Sequence, residues 1–182
     1  QQVADIKEAL LPFEMKEFKI ISAHPVFKKR KRGRAVYQNG FLSTIYQEPV
    51  LAFAIKDRAD SGQMLLVVES NEDAYTFNYN VNQILVEHAG QPLGIIDDQH
   101  RLMDSEGKEI GRLESSDSES YYRVIVHNRE IAHINKTQTG QTSESDRLFS
   151  LFHDFNAQDE EEFVALSIYG LIIRPRISHL RA

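Results

Sequence analysis

The sequence has no cysteine and no tryptophan among its 182 residues. Without a thiol, structural disulfides, thiolate nucleophiles and cysteine-based zinc or iron–sulfur sites are excluded. The compartment stays open on this ground, because a cysteine-free chain suits cytosol and periplasm alike. No apolar run approaches the ~20 residues that cross a bilayer as a helix; the longest, Phe163 to Ile173, is interrupted by Ser167 and Gly170. Also missing are the Gly-x-Ser-x-Gly nucleophile elbow, the Gly-x-x-x-x-Gly-Lys phosphate loop and the Gly-x-Gly-x-x-Gly dinucleotide fingerprint. None of the seven histidines falls in a His-x-x-x-His or His-Glu-x-x-His pattern, so no metal site, no cofactor and no catalytic residue is expected.

A hydrophobic content of 41% with 26% charged residues is that of an ordinary globular domain, long enough to bury a core without a staple. The opening Gln-Gln-Val-Ala-Asp-Ile-Lys-Glu has no initiator Met and no apolar signal core, which leaves a trimmed leader as an open reading. A net charge of −6 argues against nucleic acid spread over the whole surface, but the charge is uneven. Lys28, Lys29, Arg30, Lys31, Arg32 and Arg34 concentrate positive charge, while Asp159 to Glu162 and Glu114 to Glu119 concentrate negative charge.

Short β-rich runs separated by turn residues dominate the chain. Phe18 to Ser22 reads as a first strand, and His24-Pro25 with the basic run reads as a turn or exposed loop. Asn39-Gly40, between Ala35-Val36-Tyr37 and Phe41 to Tyr46, is a hairpin signal. Leu51 to Lys56 pairs with Met64 to Glu69 across a loop; Thr76 to Tyr79, Gln83 to Glu87 and Leu93 to Ile96 continue the pattern. In His100 to Leu113 the triplet Ser105-Glu106-Gly107 makes the turn, with Asp104 supplying side-chain hydrogen bonds and Gly107 a positive φ. Tyr121 to Val126 and Ile131 to Ile134 form the next hairpin, with Asn128-Arg129 read as its turn, and Leu148 to Phe152 a further strand. Repeated hairpins favour a meander that curls into a sandwich or barrel, since closure removes exposed edges. After Asp159 to Glu162 the period changes: Phe163 to Ile173 is apolar on every face and reads as a buried helix, with acidic residues at its start and Pro175 as its stop.

His100-Arg101-Leu102-Met103-Asp104-Ser105-Glu106-Gly107-Lys108-Glu109-Ile110-Gly111-Arg112-Leu113, the hairpin at Tyr122 to Val126 and the acidic lead into Phe163 to Ile173 resemble the tubby-like, LURP-one-related and phospholipid-scramblase-like superfamily. The resemblance covers roughly Ala35 to Ile173. It implies a mainly β fold, an antiparallel hairpin-repeat barrel enclosing a hydrophobic C-terminal α-helix, and contact with phosphoinositide or other anionic phospholipid. It carries over no catalytic residue, and the palmitoylation-type cysteine cluster of the scramblases is missing. On this reading residues 1–34 are an N-terminal extension with the first strand and a basic loop, 35–176 the barrel with its helix, and 177–182 a tail.

The basic run is the most function-like feature, because clustered Lys and Arg neutralise anionic headgroups at about 1 kcal/mol each. The same residues are equally consistent with a solvated loop or a gatekeeper at a sheet edge, and they would also attract nucleic acid. A non-enzymatic module binding anionic lipid is therefore expected, in the cytoplasm or at the membrane periphery. A protein–protein scaffold and an enzyme with a site in the barrel mouth are the alternatives.

Overall fold

The structure is a computed structural model that describes residues 10, 15–22, 26–32, 35–58, 61–80, 83–115, 118, 120–136, 147–152 and 156–180. Twelve strands form one antiparallel sheet in strict sequence order: β1 (Val26–Arg32), β2 (Ala35–Ser43), β3 (Pro49–Arg58), β4 (Gln63–Glu69), β5 (Ala74–Asn80), β6 (Gln83–His88), β7 (Gln91–Ile96), β8 (Arg101–Met103), β9 (Glu109–Glu114), β10 (Tyr121–Val126), β11 (Arg129–Asn135) and β12 (Phe149–Leu151). Period-2 patterning sets the inner face: Met64, Leu66 and Val68 of β4 are buried, as are Tyr75, Phe77 and Tyr79 of β5. The expected turn at Ser105-Glu106-Gly107 forms, with Asp104 Oδ1 accepting from the amides of Glu106 and Lys108 at 2.9 Å each.

Four expectations fail locally. Phe18 does not begin a strand: Met15–Ile20 is a 3₁₀ helix, and only Ile21 and Ser22 are extended, bridging Thr44 and Arg147 respectively. The turn frees the Phe18 ring to pack edge-on against Phe149 and Phe163 in the core. Asn39-Gly40 makes no hairpin, because β2 runs straight through it between two long partners, with Asn39 opposite both Lys28 and Ala54. The turn after β10 is His127–Asn128 rather than Asn128-Arg129; both residues have positive φ, 48° and 61°, and Val126 faces Arg129. The basic run is a strand rather than a loop, since every residue from Val26 to Arg32 has a register partner on β2.

Against the sheet lies the helix, α1 (Ala157–Ile168), followed by a π-helical turn at Tyr169–Ile173 and α2 (Arg174–Leu180). Glu162 to Gly170 are buried without a break, so the helix is covered all round, as its composition predicts. A single apolar cluster joins it to strands β2 to β6, β7, β8, β9, β10, β11 and β12 and to Phe18 and Ile21. Close approach is part of this packing: a Cβ on Gly111 would lie 2.8 Å from Leu166 Cδ1, and one on Gly170 would lie 2.8 Å from Leu113 Cδ1.

Pro175 does not stop the helix. A proline ring inside an α-helix collides with the carbonyl four residues back, but here the preceding turn is widened, with the Arg174 amide donating to Tyr169 O five residues back. The backbone therefore continues to Leu180 through what was read as a tail. Arg176 donates to Ile172 O and, at 2.9 Å, to Gln38 Oε1, tying α2 to β2. At the other end Asn156 caps α1, its Oδ1 accepting from the Asp159 amide at 2.8 Å. Asn156→Ala is expected to lower unfolding free energy by about 1 kcal/mol, read from urea midpoints; no shift in the midpoint would mean that the cap contributes nothing.

Candidate functional site

Two polar regions stand out, one expected and one not. The expected one is basic. Among the described residues β1 has β2 as its one strand neighbour and stands at the edge of the sheet. Lys28 is exposed. Register places Arg30 opposite Tyr37 and Tyr37 opposite Lys56, and Arg32 opposite Ala35 and Ala35 opposite Arg58. Lys29 and Lys31 fall opposite Gln38 and Val36. Arg34 lies outside the described residues. The basic run is thus brought into line with two cations that sequence reading had left apart, Lys56 at the end of an ordinary strand and Arg58 in the loop after it. The Arg30–Tyr37–Lys56 row continues through Leu65, Asn78, Leu85 and Ile95. Leu65, Leu85 and Ile95 are 38%, 40% and 36% exposed, so an aliphatic stripe extends the cationic one on the outer face.

The second region lies at the N-terminal end of α1, where the acidic run meets histidines from the strands. On one side a cavity of about 270 Å³ is lined by Asp73, Tyr75, His88, Glu160 and Glu161 among others. His88 Nε2 lies 3.1 Å from Asp73 Oδ1 and its Nδ1 3.5 Å from Glu161 Oε2, while the ring stacks on Tyr75 at 4.5 Å. Burial, with the charges of Asp73 and Glu161, raises the Glu160 carboxyl above its ordinary value, and burial beside Asp73 raises the Tyr75 phenol. Ser70 is committed to its own turn, its Oγ accepting from the amides of Glu72 and Asp73.

On the other side Asp159 and Glu162, one helical turn apart, face the β10–β11 turn. Both are buried, at 1% exposure. Arg129 Nη2 donates to Asp159 Oδ2 at 2.6 Å, and His127 Nε2 lies 2.9 Å from Glu162 Oε2. Burial pushes the Glu162 carboxyl up to about 7, with Asp159 and Glu161 adding to the rise and the Gln158 hydrogen bond opposing it. Chemically, both clusters offer imidazole and carboxylate together, suited to holding a cation or moving a proton. The space inside the sheet beyond them is taken by α1.

Sequence reading treated Asp159 to Glu162 as complements to the helix dipole. The missed signal was their phase: Asp159 and Glu162 continue the buried cylinder of Phe163 and Leu166 backwards by one turn. His127 could not be joined to them from spacing alone, because 31 residues of chain intervene before Asp159. No family model, curated protein or solved structure matches this chain.

Proposed function

We propose that this chain is a non-enzymatic, tubby-like binding module that docks on anionic phospholipid through the outer face of β1 to β4 and its aliphatic extension onto β6 and β7. The observation that carries the reading is the register that aligns the basic strand with Lys56 and Arg58 and sets Leu65, Leu85 and Ile95 in the same outward stripe. Cations draw a protein to a negative leaflet, and exposed aliphatic side chains beside them hold it at the headgroup boundary. Tyr37, between Arg30 and Lys56, is the amphipathic ring type that settles at that depth. A gatekeeper edge explains lysines on β1, but it does not explain an aliphatic stripe that starts three strands further in.

The finer fold reading is that the sheet curls and closes as a barrel around α1. It is supported by Ile21 and Ser22, which bridge Thr44 after β2 and Arg147 before β12, at opposite ends of the sheet. A filled interior leaves the outer face as the docking surface.

Co-sedimentation with phosphatidylcholine vesicles, with and without phosphatidylserine, tests the function. Binding to the anionic vesicles at low salt is expected, falling with added salt. Neutralising Lys28, Arg30, Lys56 and Arg58 together to Gln should weaken it roughly a thousandfold, at about 1 kcal/mol per charge. No binding at low salt, or binding indifferent to the four changes, overturns the reading. Salt-sensitive binding to duplex DNA without vesicle binding moves the same face to nucleic acid.

A further inference from the structure

His127, Asp159 and Glu162 converge from a hairpin turn and one helix face, and their ligating atoms all lie within 4.8 Å of one another. We propose that these three side chains form a binding site for a divalent cation of the zinc class, separate from the basic outer face.

The carboxylates are oriented for it. Asp159 uses Oδ2 for Arg129, at 2.6 Å, and Glu162 is approached at Oε1 by Gln158 Nε2, at 3.4 Å. The remaining oxygens, Asp159 Oδ1 and Glu162 Oε2, are buried and make no hydrogen bond. His127 Nε2 stands 2.9 Å from Glu162 Oε2 without hydrogen-bond geometry. A buried carboxylate oxygen left without a hydrogen bond is costly, so Asp159 Oδ1, which makes none, and Glu162 Oε2, which has only the His127 ring beside it, leave negative charge that a cation would compensate. Holding the outer oxygen of each carboxylate with a hydrogen bond while leaving the inner one bare is how metal sites orient their ligands.

Charge points the same way. Two buried carboxylates face one guanidinium, which is itself half exposed, and one imidazole. A divalent cation supplies the missing positive charge. One imidazole nitrogen with two carboxylate oxygens suits a first-row transition metal better than magnesium or calcium, which prefer all-oxygen shells. Ligand bonds of about 2.0–2.2 Å set donors roughly 3–3.5 Å apart, so donors now within 4.8 Å of one another need to close by at most about 1.5 Å. Three protein ligands leave a fourth position for water.

The test is calorimetric titration of the chelator-stripped protein with Zn²⁺ alone, with Co²⁺ visible absorption as the coordination readout. One saturable equivalent and the absorption bands of a four- or five-coordinate Co²⁺ are expected. His127→Asn keeps a residue that tolerates the positive φ of the turn and should lower affinity about a hundredfold; Asp159→Asn should do the same. His88→Asn, in the neighbouring cluster, should leave binding unchanged. Absence of saturable binding, persistence of full affinity in His127→Asn, or loss of binding in His88→Asn overturns the site. Should Asp159→Asn fail to fold, the turn variant decides alone.

Discussion

Gly94→Ala loses about 3 kcal/mol or more of unfolding free energy, at the upper end of what overpacking a close-packed interior costs. The added methyl would lie 2.3 Å from the Met103 carbonyl oxygen and 3.1 Å from Leu102 Cδ1. An oxygen on the backbone of β8 cannot rotate away as a side chain does, so β7 and β8 must separate. Gly94 sits beside a bulge in the β6–β7 pairing, where Val86 pairs with Gly94 but Glu87 pairs with Pro92. Gly107→Ala is the natural comparison: φ there is +77°, but nothing lies within 4 Å of the new methyl. Its cost is backbone strain alone, about 1–2 kcal/mol. Thermal and urea unfolding of both variants should rank them in that order, with Gly94→Ala melting about 6–12 °C below the parent. Equal losses would show that β7 and β8 part freely and that their close approach holds nothing in place.

Glu162→Gln, in the presence of chelator, stabilises the protein at pH 8 by about 3 kcal/mol and by less than about 1 kcal/mol at pH 5. The folded carboxyl titrates near 7 and the unfolded one near 4.5. Below the unfolded value both states carry the proton and the side chain is neutral in its effect. As pH rises from there, the unfolded chain releases the proton while the folded chain keeps it, and stability falls until the folded group also ionises near 7. Gln, with nearly the same shape and no charge to desolvate, removes that loss. Urea unfolding at the two pH values gives the double difference directly. A variant less stable than the parent at pH 8 would mean that the ionised carboxylate, held by His127, is the favoured form.

The sheet was legible wherever the chain alternates and turns on Gly or Asp. β3 to β11 follow the hairpins read from Leu51 to Ile134, and β12 falls within Leu148 to Phe152. The Leu93-Gly94 and Ile110-Gly111 pairs prove to be places where strand meets strand or helix too closely for a side chain. Asn39-Gly40 misled because a turn signal is local, whereas two flanking strands seven and ten residues long impose extension from both sides. Pro175 misled for the reverse reason: the widened turn before it leaves no trace in composition. Of the candidate sites, the basic residues were visible as a run, but their alignment with Lys56 and Arg58 is a property of register. The His127 cluster needed the tertiary fold altogether.

Because every strand pairs with the one made just before it, the sheet's contacts are short in sequence, a topology that closes quickly. The segment that covers its inner face, Ala157 to Leu180, leaves the ribosome only after the strands have done so. A nascent chain must therefore hold Leu66, Phe77, Val86 and Ile96 bare until the helix arrives. Helix docking, rather than strand pairing, then sets the pace of folding, and the waiting sheet is the species that chaperones would recognise.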